Sequence, residues 1–233
     1  MIFEKRLEII LDTLEDLRQV SNKLLIKKLD VSESTLRRDL DYLEKKGDIK
    51  RVHGGAVLTS IEPYEKSYDK NVVLNVESKK NIAKKAASYI KDKSHIFLDG
   101  GTSTNFLIDY LKDDVTVITN GLMHLEKLKD KNIKTIFLGG EFKQKTNVTV
   151  GEKTIEELSN FNFDFAFIGA NGYKDGEFTT HDPKEARIKA MAIKRANKAI
   201  VLLDRSKEGR LYFSKICSIK DVTLIQEDLW FIL

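Results

Sequence analysis

Six short apolar segments, most of them separated by helical patterns, restrict what the second part of this chain can fold into. They are HIFLD (95–99), VTVIT (115–119), KTIFL (134–138), FDFAFIG (163–169), KAIVLLD (198–204) and DVTLIQ (221–226). The helical patterns cover residues 79–92, 102–112, 121–130, 152–159 and 184–197. Nearly continuous apolar strands that alternate with helices are typical of a parallel sheet covered on both faces. We therefore predict a doubly wound, mostly parallel α/β domain over residues 79–233.

Polar turns at the carboxyl ends of such strands are candidate ligand sites. The first is Asp99 followed by five small residues that open a helix: Gly100, Gly101, Thr102, Ser103 and Thr104. The hydroxyls and N–H groups at a helix start can hold an anion. The turn lacks the Gly-Lys-Ser/Thr of a P-loop and the GxGxxG of a dinucleotide turn, so we expect no nucleotide cofactor. A capped helix after a tight turn would have the same sequence, so both interpretations stay open.

Other strand ends add polar groups to the predicted ligand edge. Asn120 follows the second strand, Asn171 the fourth and Lys207 the fifth. Lys207 can meet a phosphate as a mobile point charge, or it can be an ordinary surface lysine. Asp182 and Glu185 flank the start of the last long helix, where they could contact a ligand or only cap the helix.

The first 58 residues carry a different pattern, with three helices predicted. They cover residues 3–17, a segment capped by Ser21 or Asn22 and ending at Leu29, and a segment from the N-cap Ser32 to Gly47. Two short helices joined by a tight turn are typical of a helix-turn-helix module. The second helix of such a module enters the DNA major groove with its N-terminal end.

The third helix has a candidate DNA-reading face opposite its apolar side. Leucines at positions 36, 40 and 43 point toward a core, which leaves five polar residues on or beside the other side: Ser34, Thr35, Arg37, Arg38 and Asp41. Arginine can donate two hydrogen bonds to a guanine edge or contact phosphates. Residues 18–56 contain ten Lys or Arg and six Asp or Glu, an excess equal to the +4 of the whole chain. A solvated helix whose arginines pair with neighbouring acids is the alternative.

The segment DIKRVHGGAVL (48–58) predicts a β-hairpin after the third helix. Residues 49–51 would pair with residues 56–58 around His53-Gly54-Gly55. Arg51 and His53 would then lie on a wing beside the reading helix and reach backbone phosphates. No second His or Cys lies near His53 at ligand spacing, so no metal site is expected there.

The segment VSESTLRRDLDYLEKKGDIKRVHGGAVL (31–58) resembles the N-terminal signature of the DeoR family of bacterial transcriptional regulators. That signature runs VS, two variable residues, T, an aliphatic residue and RRDL, and then an LE–G segment and RVHGGA. Leu36 stands where isoleucine is more usual. The later turns DGGTST, VITN, FDFAFIGANG and DRSK resemble the effector domain of the same family, so the resemblance covers nearly the whole chain.

The resemblance implies a winged helix-turn-helix domain, which we place at residues 1–58, and an effector domain at 79–233, joined by a linker at 59–78. The effector domain is expected to be similar to ribose-5-phosphate isomerase. The implied partners are operator DNA and a small-molecule sugar phosphate. The phosphate would lie on residues 100–104 and Lys207, and the sugar near four side chains: Asn120, Asn171, Asp182 and Glu185.

Two functions remain in competition. The first is a repressor of carbohydrate-metabolism genes without catalytic residues, because the related isomerases carry acids where this chain has Asn171-Gly172. The alternative is an isomerase-like enzyme with Glu185 as base and a degenerate DNA-binding module. Helix-turn-helix proteins usually bind as symmetric dimers, so we expect a homodimer or tetramer. The absence of an apolar run of ~20 residues predicts no membrane partner, and a single cysteine fits a reducing cytoplasm.

Overall fold

The structure is a computed structural model that describes residues 2–17, 19–59 and 65–227. The chain divides into two compact units between Glu65 and Lys66, within the segment 59–78 that we predicted to be a linker. Residues 60–64 of that segment lie outside the described residues. None of the described helices combines the length and apolar character that crossing a membrane requires.

The first unit contains three helices and a small antiparallel sheet. Its elements are α1 (Phe3–Leu17), β1 (Gln19–Ser21), α2 (Asn22–Leu29), α3 (Glu33–Lys46), β2 (Ile49–Val52) and β3 (Gly55–Leu58), with strand order β1-β3-β2. The predicted caps are confirmed: the Ser21 hydroxyl accepts from the Leu24 N–H at 3.3 Å, and Gly47 ends α3 with φ +85°. Strand β1 was not predicted, because its segment QVS gave only a polar break.

The hairpin of β2 and β3 confirms the predicted wing, with a shorter turn than expected. Val52 pairs with Gly55, so the turn consists of His53 and Gly54, and Gly54 has φ +76°. Gly55 belongs to β3, where a Cβ atom would lie 2.2 Å from the Val20 carbonyl oxygen. Gly55 is therefore required for the close approach of β1 to β3.

The second unit is an α/β domain. In chain order its helices and strands are α4 (Tyr68–Val72), α5 (Val76–Ala87), β4 (His95–Leu98), α6 (Thr102–Leu107), β5 (Thr116–Thr119), α7 (Leu125–Asp130), β6 (Lys134–Phe137), β7 (Glu141–Lys143), β8 (Val148–Val150), α8 (Glu152–Ser159), β9 (Phe163–Gly169), β10 (Gly172–Lys174), β11 (Glu177–Thr180), α9 (Pro183–Lys194), β12 (Ala196–Leu202), β13 (Ser214–Ser218) and β14 (Thr223–Ile225).

The six predicted strands form one parallel sheet in the order β14-β12-β9-β4-β5-β6. Its two faces bury alternate residues under different helices. Ile96 and Leu98 of β4 pack in one cluster with Ile82 of α5. Phe97, between them, packs in a second cluster with Ile188 of α9. The predicted doubly wound fold is confirmed, and the sheet carries a hydrophobic core on each face.

The strand order reverses beside β4. The chain runs outward from β4 through β5 and β6, and then returns to place β9 on the other side of β4. Ligands of doubly wound sheets bind in the crevice at such a switch point. The carboxyl end of β4 leads into residues 100–104 and that of β9 into Asn171, so the predicted ligand turns meet at this point.

Several smaller elements were not predicted. Strands β7 and β8 form a two-stranded hairpin, and β10, β11 and β13 form a three-stranded antiparallel sheet. The helix predicted from residue 79 begins at Val76, after Asn75 in the left-handed conformation with φ 51°. The preceding helix α4 places Tyr68 in the interior, with 7% of its surface exposed.

Candidate DNA-reading and effector sites

The N-terminal end of α3 presents a polar surface. Ser32 caps the helix by accepting from the Thr35 N–H at 3.3 Å, and its hydroxyl lies 3.0 Å from that of Ser34. The leucines at positions 36, 40 and 43 are each 1% exposed, whereas Arg37 and Arg38 are exposed. Within the described residues, neither arginine forms an ion pair, so both guanidinium groups are available to a partner.

Asp39 of the RRDL segment lies on the buried side of α3. Arg6 of α1 donates from Nε and Nη2 to its two carboxylate oxygens, at 2.6 and 2.9 Å. This pair raises the pKa of Arg6 above its ordinary value, chiefly through the hydrogen bond to Asp39. Asp39 is 1% exposed, so it anchors α3 against α1 and does not neutralise the neighbouring arginines.

The wing is tied to the same helix. The Arg51 guanidinium forms a salt bridge with Asp41 of α3, and the Arg51 N–H donates to Glu44 Oε1 at 2.8 Å. His53 is exposed at the hairpin turn. A phosphate contact by Arg51 therefore competes with its pairing to Asp41, whereas His53 meets no such competition from an ion pair among the described residues.

A buried amide fixes the turn after β4. The Gly100 N–H donates to Asn120 Oδ1 at 3.3 Å, and Asn120 Nδ2 donates to the Thr149 carbonyl at 3.0 Å. Asn120 is 2% exposed, and its amide bridges the turn after β4 and the middle of β8. The structure thus places Asn120 beneath the predicted anion turn, where backbone groups occupy both ends of its amide.

The hydroxyls of the anion turn have different surroundings. Thr104 is fully buried, and its hydroxyl donates to the Gly101 carbonyl at 2.7 Å and also contacts the Asp99 carbonyl. Thr102 is half-buried and Ser103 is 8% exposed at the start of α6. The first N–H groups of a helix have no acceptor within it. The anion-holding role therefore fits Thr102 and Ser103 better than Thr104, which stabilises the turn.

Gly100 and Gly101 are expected to respond differently to alanine. A Cβ atom on Gly100 would lie 2.2 Å from Val148 Cγ1 and 3.0 Å from Gly121 Cα, whereas the nearest atom to one on Gly101 is 3.4 Å away. We expect Gly100→Ala to lower the free energy of unfolding by about 1–3 kcal/mol, the usual cost of overpacking. Gly101→Ala is the matched control and should leave stability nearly unchanged. Denaturant unfolding of the two variants measures this, and equal stabilities would contradict the packing role of Gly100.

A buried ion pair lies at the switch point. Asp99 and Lys189 of α9 form a salt bridge, with side chains 4% and 7% exposed. Asp99 Oδ2 also accepts from the Gly169 N–H at 2.9 Å, which joins the ends of β4 and β9. Lys189 was not among the predicted site residues, although it lies one helical turn after Glu185, in the segment EARIKAM (185–191) that belongs to the family resemblance.

A second buried group, His124, supports the turn from below. Its Nδ1 lies 2.9 Å from the Thr119 hydroxyl, which itself donates to the Leu98 carbonyl at 2.6 Å. Burial lowers the pKa of His124 to about 4, so the ring is neutral at pH 7. Its Nε2 lies 3.4 Å from the Gly101 carbonyl oxygen, so the ring connects the end of β5 to the turn after β4. This side chain was not selected from the sequence.

The predicted carboxylates meet an unpredicted lysine. Lys143, at the end of β7, lies 2.8 Å from Asp182 Oδ2 and 2.9 Å from Glu185 Oε1. Thr146 donates to the same Glu185 oxygen at 2.8 Å. Burial acts to raise the pKa of Asp182, but hydrogen bonds from Lys143 and the Lys184 N–H lower it below its ordinary value. The structure brings Asp182 and Glu185 together around one ammonium group.

Lys207 lies in a short 3₁₀ turn after β12, near a second lysine. Lys79 of α5 is 4% exposed and donates to the Leu74 carbonyl at 2.7 Å. Burial lowers the pKa of Lys79 to about 8, with a further lowering from the positive charge of Lys207 that opposes the effect of Asp204. Asn75 donates to Asp204 Oδ1 at 2.9 Å and fastens this turn to the start of α5.

Asn171 lies at the end of β9, where its Oδ1 accepts from the Thr180 hydroxyl at 2.6 Å. Its side chain is half-buried beside the switch point. Across the described ranges 2–17, 19–59 and 65–227, no group of three or more His, Cys, Asp or Glu is arranged to hold a metal ion.

An exposed reading helix with a wing, followed by a doubly wound domain with polar groups at its switch point, defines a DNA-binding regulator with a ligand-binding domain. Residues 6–62 match the model of the DeoR-like helix-turn-helix domain, and residues 74–228 match that of the DeoR C terminal sensor domain. The chain belongs to the DeoR family of transcriptional regulators.

Three relatives illustrate the match. The uncharacterized HTH-type transcriptional regulator FruR of Bacillus subtilis is 40% identical, over 98% of this chain and 92% of its own length. The lactose phosphotransferase system repressor of Lactococcus lactis is 38% identical, over 89% and 84%. The HTH-type transcriptional repressor GlcR of Bacillus subtilis is 32% identical, over 98% and 89%.

Similar solved structures include ribose 5-phosphate isomerase A from Methanocaldococcus jannaschii, with 20% identity, a TM-score of 0.43 and coverage of 57% of this chain and 55% of that one. Another is eIF2B delta from Chaetomium thermophilum, with 13% identity, a TM-score of 0.49 and coverage of 84% and 64%. Likenesses at this level carry no information on ligand or activity.

Proposed function

We propose that this protein represses carbohydrate-metabolism genes by binding operator DNA through its first unit, and that a sugar phosphate bound by the second unit controls that binding. The similarity to the lactose phosphotransferase system repressor of Lactococcus lactis supports the class of regulated genes, and the similarity to the transcriptional repressor GlcR supports repression. The observation that supports the proposal is the buried Asp99–Lys189 ion pair, which joins the start of the turn after β4 to the end of β9 at the switch point of the second unit. The functional boundaries proposed are 1–58, 59–78 and 79–233.

On the DNA side, six residues are proposed to contact the operator: Ser34, Thr35, Arg37, Arg38, Arg51 and His53. The exposed arginines of α3 read base edges, and the wing residues bind phosphates. Arg51 exchanges its bond to Asp41 for a phosphate oxygen when DNA is present. The assembly is a homodimer or tetramer, since a helix-turn-helix usually reads two symmetric half-sites.

On the effector side, the N–H groups and hydroxyls of Thr102 and Ser103 hold the phosphate, together with the Lys207 ammonium. Asn171, Asp182 and Glu185 bind sugar hydroxyls. Gly100, Gly101, Thr104 and Asn120 shape the turn. The combination of a small anion site with carboxylates that accept hydrogen bonds fits a ligand that has one phosphate and several hydroxyls.

The proposed role is detection without turnover. A general base must take up a proton from its substrate. Glu185 Oε1 already accepts from both Lys143 and Thr146, so the protein itself holds this oxygen of the candidate base. A coupled assay on pentose and hexose phosphates tests this point. Turnover by the wild type that is lost in Glu185→Gln would favour the isomerase alternative.

A thermal-shift screen tests the effector class. Its panel contains ribose 5-phosphate, glucose 6-phosphate, fructose 1-phosphate and fructose 6-phosphate, with inorganic phosphate and the free sugars as controls. A true ligand at 100 times its Kd stabilises the folded state by ~2.7 kcal/mol. A flat response to every sugar phosphate would overturn the proposed effector class.

Lys207→Ala should distinguish the contribution of the phosphate to binding from that of the sugar. A hydrogen bond to a charged group contributes about 1.5–3 kcal/mol, so we expect roughly 10- to 150-fold weaker binding of the active sugar phosphate. Weak binding of the unphosphorylated sugar should be unchanged. The matched control is Lys220→Ala, which removes an exposed lysine at the amino end of β14. Calorimetric titration of both ligands measures the difference, and equal weakening of both would refute a phosphate contact.

A further inference from the structure

The tip of the β7–β8 hairpin, residues 143–146, contacts the carboxylates of the proposed sugar site. Lys143 bridges Asp182 and Glu185, and Thr146 donates to Glu185. Lys143 is 18% exposed and the Glu185 side chain 9%, so these bonds are largely shielded from water. The tip therefore occupies acceptor groups that a sugar hydroxyl would use.

The same tip holds the first helix of the second unit. The Lys145 carbonyl accepts from the backbone N–H of Tyr68 at 2.9 Å. Tyr68 is the first residue of α4, only two residues after the unit begins at Lys66. Its ring is buried, and burial raises the pKa of its hydroxyl to about 12. The point at which the chain enters this unit is thus hydrogen-bonded to the tip.

The base of the hairpin is fixed separately. The Thr149 N–H donates to the Asn120 carbonyl, and the Leu122 N–H donates to the Asn147 carbonyl, each at 2.9 Å. These backbone bonds join β8 to the end of β5 and involve none of the ligand-facing carboxylates. A change in the bonds of Lys143 and Thr146 can therefore move the tip while its base stays in place.

We infer that residues 143–146 couple effector binding to the entrance of the second unit. This inference rests on the proposed function for its ligand. Sugar hydroxyls compete with Lys143 and Thr146 for Asp182 and Glu185, and the tip passes its displacement to Tyr68 through the Lys145 carbonyl. A ligand shifts such an equilibrium only if it binds one arrangement more tightly. A ligand that hydrogen-bonds to Asp182 and Glu185 binds more tightly to the arrangement in which the tip has released them, which satisfies that condition.

The Tyr68 hydrogen bond can be removed without changing the helix start. Proline is tolerated at the first position of a helix, and it needs an extended residue before it. Ser67 already has φ −63° and ψ 160°. Tyr68→Pro removes the N–H and the ring, whereas Tyr68→Ala removes only the ring and is the matched control.

The first experiment measures operator affinity with and without the panel sugar phosphate that gives the largest thermal shift. It uses the full chain and a duplex from its own promoter region. The response is the factor by which the effector changes the operator affinity. We expect this factor to equal the wild-type value in Tyr68→Ala and to be about fivefold or more smaller in Tyr68→Pro. The effector affinity should be unchanged in both variants. An equal response in the two variants would overturn the inference.

A second experiment needs no effector. The double variant Lys143→Met with Thr146→Val should release the tip, so the Tyr68 amide in peptides spanning 66–74 should exchange hydrogen faster. The matched control is Lys184→Met, which breaks an exposed ion pair with Glu141 between α9 and β7. Unchanged exchange in the double variant would overturn the inference. If no sugar phosphate binds the wild type, the proposed effector class fails while this exchange result still decides the role of the tip.

Discussion

Replacing Arg37 and Arg38 together by alanine is expected to abolish specific operator binding while leaving sugar-phosphate affinity intact. Both side chains are exposed on α3, opposite the buried Leu36 and Leu40. A good bidentate contact to a base contributes about 1–3 kcal/mol, so losing two costs roughly thirtyfold or more in affinity. The substitution leaves the Arg6–Asp39 pair in place, so the helix should remain folded on α1.

The matched control for this prediction is Lys45→Ala with Lys46→Ala. It removes the same charge from the other end of α3, where both lysines are exposed. Loss of phosphate contacts alone weakens all sequences alike and reduces the salt dependence of binding. Fluorescence anisotropy with operator and unrelated duplexes at two salt concentrations separates the cases. Operator binding that survives the double arginine change would show that α3 is not the reading helix.

In the first unit, features set by residues close in the sequence could be predicted, whereas contacts between residues far apart in the sequence could not. The Ser32 cap, the leucine spacing and Gly47 are local signals, and they placed α3 correctly. The Arg6–Asp39 pair joins residues 33 positions apart, so no spacing rule indicated it. Strand β1 has three residues, too few to show a period of two, and only its pairing with β3 makes it a strand.

In the second unit, too, elements with a clear sequence pattern were predicted and elements without one were missed. Its six central strands were predicted because burial on both faces makes them almost wholly apolar. Strand β7 has the sequence Glu-Phe-Lys and is mostly exposed, so its segment gave no strand signal. Lys143, at its end, was missed with it. Asp182 and Glu185 were selected from the helix start, but only the tertiary fold shows that one ammonium group pairs with both.

Lys189→Met is expected to have the largest effect on stability. It leaves the Asp99 carboxylate, 4% exposed, without its ammonium partner at the switch point. Removing one member of a buried pair costs about 3–5 kcal/mol, because the remaining charge stays desolvated. For a unit of this size, that lowers its Tm by roughly 6–20 °C. Lys198→Met, which changes an exposed lysine on β12, is the control and should shift the Tm little.

A second substitution distinguishes the loss of the charge pair from the loss of lysine packing. In Asp99→Asn with Lys189→Met the uncompensated charge is gone, and the Asn oxygen can still accept from the Gly169 N–H that Asp99 Oδ2 now binds. Replacing both members of a buried pair by hydrophobic residues of similar volume is often close to neutral, and the double variant likewise leaves no charge at either position. We therefore expect the double variant to regain most of the stability lost in Lys189→Met. Calorimetry of the full chain, fitted with separate transitions for the two units, measures this recovery. A double variant that is no more stable than Lys189→Met would mean that Lys189 acts through its packing, and that the ion pair does not hold β4, β9 and α9 together at the switch point.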